Sequence, residues 1–241
     1  MTTLVVCSHG TRSPVGRAVV AELVDAVRAE LPEVDVRPAF VDVEEPEVGG
    51  VVAGVTGPLV VVPLLLSRGY HTKVDIARAV GTRADAVQTA PLGPHPLMSE
   101  VLLASLAETL GQDALRPGDH LVLAAAGSSE AVAAVDVEAT AADLRRHVSV
   151  PVSVGFAAGA TPRIGDAVAQ ARADGAGRVV CLSYVLAPGH FADVVRAAGA
   201  DLTTAPLGAD PRIARIVAYR FAAALRQSGG SEARWVGGPA G

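Results

Sequence analysis

The sequence predicts an α/β protein built from two related halves, each with a mostly parallel sheet covered by helices. Two observations predict this fold class. Short apolar runs of strand length alternate with longer segments whose apolar residues recur at helical spacing. In addition, the motifs of residues 4–98 return in the same order in residues 120–213, as expected of an internal duplication with halves of about 115 residues.

The first half alternates strands and helices four times. Residues 58–66 are apolar on both faces, which predicts a central parallel strand covered on each side. Residues 85–90 predict a short edge strand. Two further strands are predicted at 4–8 and 34–40, and helices at 13–31, 71–80 and 96–110. Another short helix is predicted after the second strand, where Pro46 can open it.

The second half repeats these motifs at nearly constant spacing. The run HLVLAAAGSSE echoes LVVCSHGTRS, and APLGADPRI echoes APLGPHPLM. The corresponding pairs are Gly10 with Gly127, Phe40 with Phe156, Pro46 with Pro162, Gly69 with Gly189 and Pro91 with Pro206. We therefore predict a first domain at 1–115, a Gly- and Pro-containing linker near 111–119, a second domain at 119–227 and a disordered Gly-rich tail at 228–241.

Composition excludes several classes of function. Aromatic residues make up only 3% of the chain and the net charge is −5, which disfavours a nucleic-acid partner. No apolar run approaches the length of a membrane span, and the N-terminus lacks the features of a signal peptide, so we expect a cytoplasmic protein without a membrane partner. Cys7 and Cys181 lie in apolar runs, as buried, inert thiols usually do.

Candidate functional residues follow three strands of the first half. Ligands of open parallel sheets bind at the carboxyl ends of the strands, near the reversal of strand order. His9 follows the first strand, Asp42 the second and His71 the third. Imidazole and carboxylate groups suit divalent first-row metals, so these three residues are predicted to form a metal site.

Other interpretations of these residues remain open. A His at a strand end can cap a helix, and Glu44 and Glu45 are typical of a solvated helix start. The SHGTR loop could bind a phosphate ester, although it lacks the usual phosphate-binding spacing. Three further histidines are predicted to be structural or capping residues: His95, His120 and His147.

The duplication provides an internal control. The positions that match His9, Asp42 and His71 hold Ala126, Ala158 and Phe191, whereas the glycines, prolines and apolar strands are retained. Joint replacement of all three indicates that they form one functional unit in the first half.

Taken together, LVVCSHGTRSP, AFVDVEEP and VVPLLLSRGYHTKVDI resemble the sirohydrochlorin chelatases of the CbiX/SirB type, the class II chelatases. The resemblance covers nearly the whole chain and implies the double-length form: two flavodoxin-like, four-stranded domains with the active cleft between them. It implies insertion of Fe²⁺, Co²⁺ or Ni²⁺ into sirohydrochlorin for siroheme or cobalamin, with the metal as co-substrate and no tightly bound cofactor.

Residue by residue, the resemblance places the family's metal-associated histidines on His9 and His71 and its acidic residue on Asp42. The family has Glu there, so the shorter Asp favours water-mediated contact or proton handling. The predicted substrate-binding residues are Arg12, Arg68, Lys73, Ser8, Tyr70 and His190.

Two alternatives to the chelatase remain. One is a metal-binding or delivery protein that uses the same histidines without catalysis. The other is a phosphate-ester enzyme that uses the SHGTR loop. Because a duplicated chain can form its own cleft, we expect a monomer.

Overall fold

A computed structural model of the chain describes residues 2–232, and within them two four-stranded parallel sheets flanked by helices. The predicted fold class is confirmed. The strands are β1 (Thr3–Ser8), β2 (Val36–Phe40), β3 (Leu59–Pro63), β4 (Ala86–Gln88), β5 (Asp119–Ala125), β6 (Val152–Phe156), β7 (Arg178–Tyr184) and β8 (Leu202–Thr203). The helices are α1 (Pro14–Glu30), α2 (Val48–Gly54), α3 (Ala77–Gly81), α4 (Pro96–Leu110), α5 (Ala131–Leu144), α6 (Ile164–Ala173), α7 (His190–Arg196) and α8 (Pro211–Glu232).

Both sheets have the same strand order, β2-β1-β3-β4 in the first and β6-β5-β7-β8 in the second. All pairs are parallel, and the order matches the beginning of the flavodoxin-like arrangement. The central strands are buried on both faces, as their continuous apolar runs predicted. Strand order reverses at β1 and β3, so the ends of these two strands frame the place where a ligand is expected.

Local sequence signals set the helix starts in the first half. Ser13 caps α1 by accepting a hydrogen bond from the Gly16 amide at 3.2 Å. The prediction that Pro46 opens α2 was wrong: α2 begins at Val48, because the Glu47 side chain caps it through the Gly50 amide. Pro46 instead follows a cis peptide bond.

The duplication is visible in the backbone. Gly10 and Gly127 both have positive φ, 91° and 84°, and each passes directly beside a carbonyl oxygen of the second strand–helix loop. A Cβ at Gly10 would lie 2.1 Å from the Asp42 oxygen, and one at Gly127 would lie 2.0 Å from the Ala158 oxygen. His9 and Ala126, one residue earlier, therefore occupy equivalent places in the two halves.

The last helix of each half packs on the other half. Helix α4 contacts α5 and β7, and α8 contacts α1 and β3. One continuous apolar core consequently joins the halves and contains residues as far apart as Leu4, Leu102, Leu123 and Ile216. Residues 233–241, which belong to the predicted tail, lie outside the described residues, and α8 continues through the first residues of that tail.

Both thiols are buried, as predicted. Burial raises the pKa of Cys7 to about 12 and that of Cys181 to about 11, so both stay protonated at neutral pH. Within residues 2–232, no helix combines the length and the apolar character that crossing a bilayer would require.

Candidate metal site

The two histidines that were predicted to cooperate are in direct contact. His9 follows β1, and His71 follows β3 at the start of a π-helical turn, Thr72–Ile76, that leads into α3. Their ring centroids are 4.5 Å apart and the ring planes are inclined by 88°. Rings this close can reach one metal ion, since a metal–imidazole bond is about 2.1 Å long.

Hydrogen bonds fix the tautomer of both rings. His9 Nδ1 lies 3.2 Å from the Gly10 carbonyl oxygen, and His71 Nδ1 lies 2.7 Å from Asp75 Oδ2. Both oxygens can only accept, so each Nδ1 carries a proton and donates it. In the neutral rings Nε2 then keeps its lone pair, which leaves it available to a metal ion or to a proton.

The loop that carries His71 is held at both ends. The Arg68 amide donates to Asp136 Oδ2 at 2.7 Å. The Thr72 hydroxyl accepts from the Gly69 amide and donates to the Gly69 carbonyl, both at 2.8 Å. These bonds fix the backbone on either side of His71.

Asp42 does not complete a three-ligand set. In the described part of the chain, no group of three or more His, Cys, Asp and Glu side chains is arranged to hold a metal ion. The Asp42 carboxylate instead accepts a hydrogen bond from the next backbone amide, that of Val43, at 2.8 Å. Asp42 is exposed and lines an open depression of about 490 Å³ with neighbouring acidic residues. The Asp42 amide nevertheless bonds the His9 carbonyl oxygen at 3.1 Å, and a role of Asp42 through water or in proton handling stays a prediction.

Two of the three predicted substrate-binding cations are already paired with the second half. The Arg68 guanidinium bonds both oxygens of Asp136, with Nη2 to Oδ1 at 2.5 Å, and this bonding raises the pKa of Arg68. Lys73 Nζ lies 2.7 Å from Glu130 Oε2. Each neutralises a carboxylate across the seam between the halves, and their contact with a substrate anion stays a prediction. Arg12 is exposed and makes no ion pair within residues 2–232.

The other predicted substrate contacts differ in accessibility. Ser8 is 4% exposed and its hydroxyl has no hydrogen-bond partner among the described residues, so the prediction that it contacts substrate is not supported by its position. Tyr70 is 51% exposed and packs edge-on against His71 with centroids 5.8 Å apart. His190 is exposed at the first position of α7.

The remaining histidines lie in structural contexts, as predicted. His95 caps α4 by accepting from the Leu97 amide at 3.2 Å, and burial lowers its pKa. His120 bonds the Ser153 hydroxyl at 2.9 Å, and burial lowers its pKa too. His147 lies 4.0 Å from Asp143 at the end of α5.

Two carboxylates important to the site escaped the sequence interpretation. Asp75 stands four residues after His71, a spacing that places the two side chains on one helical face and could have indicated the pair. Asp136, on the buried face of α5, carries no such local signal, because its partner Arg68 is distant in the chain.

Comparison with known proteins agrees with this architecture. The CbiX family model matches the chain twice, over residues 3–109 and 120–224. The chain belongs to the CbiX family. Each match spans one half, so the internal repeat of this CbiX protein is a repeat of the family's unit.

Two curated relatives carry the name sirohydrochlorin cobaltochelatase. The protein of Methanopyrus kandleri is 28% identical over 47% of this chain and all of the relative. That of Methanosarcina barkeri is 30% identical over 44% of this chain and 92% of the relative. The structure of SirB from Bacillus subtilis with Fe³⁺ superposes with a TM-score of 0.75 at 20% identity, over 95% of this chain and 97% of SirB. This last similarity establishes the fold.

Proposed function

We propose that this CbiX-family protein is a chelatase that inserts a divalent metal ion, Fe²⁺, Co²⁺ or Ni²⁺, into sirohydrochlorin. One observation carries the proposal: His9 and His71 touch, and both have Nδ1 committed to a protein acceptor, leaving two Nε2 atoms for chemistry. Family membership and the names of the two curated relatives support the substrate.

The reaction needs groups that hold a metal and accept protons. Two pyrrole N–H protons leave the macrocycle as one divalent ion enters, so charge is balanced. A site with two protein ligands leaves the remaining coordination positions of the metal to water and then to the ring nitrogens. Neutral imidazoles suit both steps, because Nε2 can ligate the ion or take up a proton as the ion departs.

The surrounding carboxylates have separate roles in this proposal. Asp75 holds the His71 ring in the Nδ1–H tautomer and fixes its orientation. Asp42 is exposed at the end of β2 and is assigned to proton handling rather than direct ligation. Arg12, which makes no ion pair within residues 2–232, is assigned to a carboxylate of the substrate, and Tyr70 and His190 to its periphery.

No resident cofactor is needed, because the metal is itself a substrate. The seam beside the site is formed by the two halves of one chain, so we propose that the monomer is the working unit.

The test is an anaerobic chelation assay with sirohydrochlorin and Fe²⁺, Co²⁺ or Ni²⁺, followed by the visible spectrum of the macrocycle. His9→Ala and His71→Ala should each lose most activity, whereas the control His147→Ala should keep it. Equal activity in all three variants would refute the site. Stoichiometric Co²⁺ binding with no turnover by the wild type would instead favour a metal-delivery protein.

A further inference from the structure

We infer that Phe191 in the second half is a contact for the flat face of the tetrapyrrole macrocycle, so that metal binding and macrocycle binding are divided between the two halves. The inference rests on the proposed function. Its starting point is the residue that the second half has at the position of His71.

Phe191 occupies the place that His71 has in the first half. The alignment is fixed by equivalent backbone hydrogen bonds: the Leu92 amide donates to Leu65, and the Leu207 amide donates to Val185. Counting from Leu65 and Val185 along the two loops leads to His71 and Phe191, respectively. The second half therefore holds a phenyl ring where the first half holds an imidazole.

The loops that carry these residues meet at one seam. A Cβ at Gly69 would lie 3.2 Å from the Ser128 hydroxyl, and a Cβ at Gly189 would lie 3.4 Å from the Thr11 hydroxyl. Gly69 and Gly189 each lie two residues before the equivalent ring, His71 or Phe191. The two contacts are equivalent: in each, the loop after the third strand of one half meets the loop after the first strand of the other half.

This reciprocal arrangement brings the loops of His9 and His71 to the same seam as the loops of their equivalents, Ala126 and Phe191. Thr11 lies two residues after His9, so the loop of Phe191 touches the loop of His9. A ligand centred on His9 and His71 and extending along the seam would reach the second-half loops, where Phe191 and Ala126 offer apolar surface in place of the imidazoles.

Phe191 is more exposed than two other phenylalanines of the chain. Phe156 and Phe221 are 3% and 4% exposed, whereas Phe191 is 38% exposed. Its ring contacts that of His190, with centroids 5.4 Å apart. An accessible phenyl ring on a loop that touches the His9 loop suits a flat, conjugated ligand, because aromatic rings stack on π surfaces whatever their substituents.

The experiment separates macrocycle binding from metal binding. Metal-free sirohydrochlorin is titrated into the protein and its fluorescence is recorded, and Co²⁺ binding is measured separately without macrocycle. Phe191→Ala should weaken macrocycle binding by about tenfold and leave Co²⁺ affinity unchanged. Phe191→Trp should restore macrocycle binding. The matched control is Leu225→Ala, which removes a side chain of similar exposure, 39%, from α8.

The outcomes distinguish this inference from the proposed function. Failure of the wild-type protein to bind sirohydrochlorin would refute the proposed function itself. Tight binding by the wild type with equal affinities for Phe191→Ala and Leu225→Ala would overturn only the role of Phe191. Loss of Co²⁺ binding in Phe191→Ala would also overturn it, because the two roles would then not be divided between the halves.

Discussion

Two ion pairs cross the seam beside the candidate metal site, and they should differ greatly in their contribution to stability. Arg68 pairs with Asp136, whose side chain is 2% exposed, and Lys73 pairs with Glu130, whose side chain is 33% exposed. Both lysine and arginine side chains are about half exposed, 54% and 50%. The burial of the carboxylate is therefore the main difference between the pairs.

Arg68→Ala leaves the Asp136 carboxylate buried with the residue-68 amide as its remaining partner from that loop. Removing one partner of a buried pair typically costs about 3–5 kcal/mol. Lys73→Ala breaks a pair between partly exposed groups, and such pairs contribute about 0.2–1 kcal/mol. We expect Arg68→Ala to lower the free energy of unfolding by about 3 kcal/mol more than Lys73→Ala does.

Urea unfolding at neutral pH, followed by circular dichroism, measures this difference through the midpoint and the slope. The double variant Arg68→Met/Asp136→Asn removes both charges and keeps an acceptor for the residue-68 amide, so it should recover part of the loss. Equal destabilisation by Arg68→Ala and Lys73→Ala would refute the argument from burial. So would a double variant less stable than Arg68→Ala.

Three further predictions concern single side chains. Asp75→Ala should weaken Co²⁺ binding about 10- to 100-fold, because His71 loses the acceptor that fixes its tautomer; calorimetric titration measures this. Ser8→Ala should change the free energy of unfolding by less than about 0.5 kcal/mol, since its buried hydroxyl has no partner in the described part of the chain and the equivalent residue is Ala125; urea unfolding measures this. His95 has a pKa lowered by burial, so its stabilising effect is complete above the unfolded value near 6.5 and is lost as pH falls through the lower folded value. His95→Asn keeps an acceptor for the cap but does not titrate, and should reduce the loss of stability on acidification, measured as the urea midpoint at several pH values.

Each of these predictions has a contradicting result. Undiminished Co²⁺ affinity in Asp75→Ala would show that the carboxylate does not support His71. A large loss of stability in Ser8→Ala would reveal a partner for the hydroxyl. If stability depends on pH equally in the wild type and in His95→Asn, then the His95 cap does not contribute to that dependence. Burial also lowers the pKa of His120, so some dependence should survive in His95→Asn.

The sequence by itself determined the architecture and the pairing of the two histidines. Apolar strand runs and an ordered set of repeated motifs specify two parallel sheets, because side-chain periodicity is a local property that the sequence displays directly. His9 and His71 could also be predicted, since parallel topology brings the ends of β1 and β3 to one edge of the sheet.

Tertiary structure alone decided the partners of the charged side chains. Arg68, Lys73 and Asp42 stood where the sequence allowed a ligand contact, yet Asp136 and Glu130 take the first two, and Asp42 bonds its own backbone. Such pairings depend on how the second half packs against the first. That packing sets the distances between residues far apart in the chain. Spacing along the sequence does not determine it.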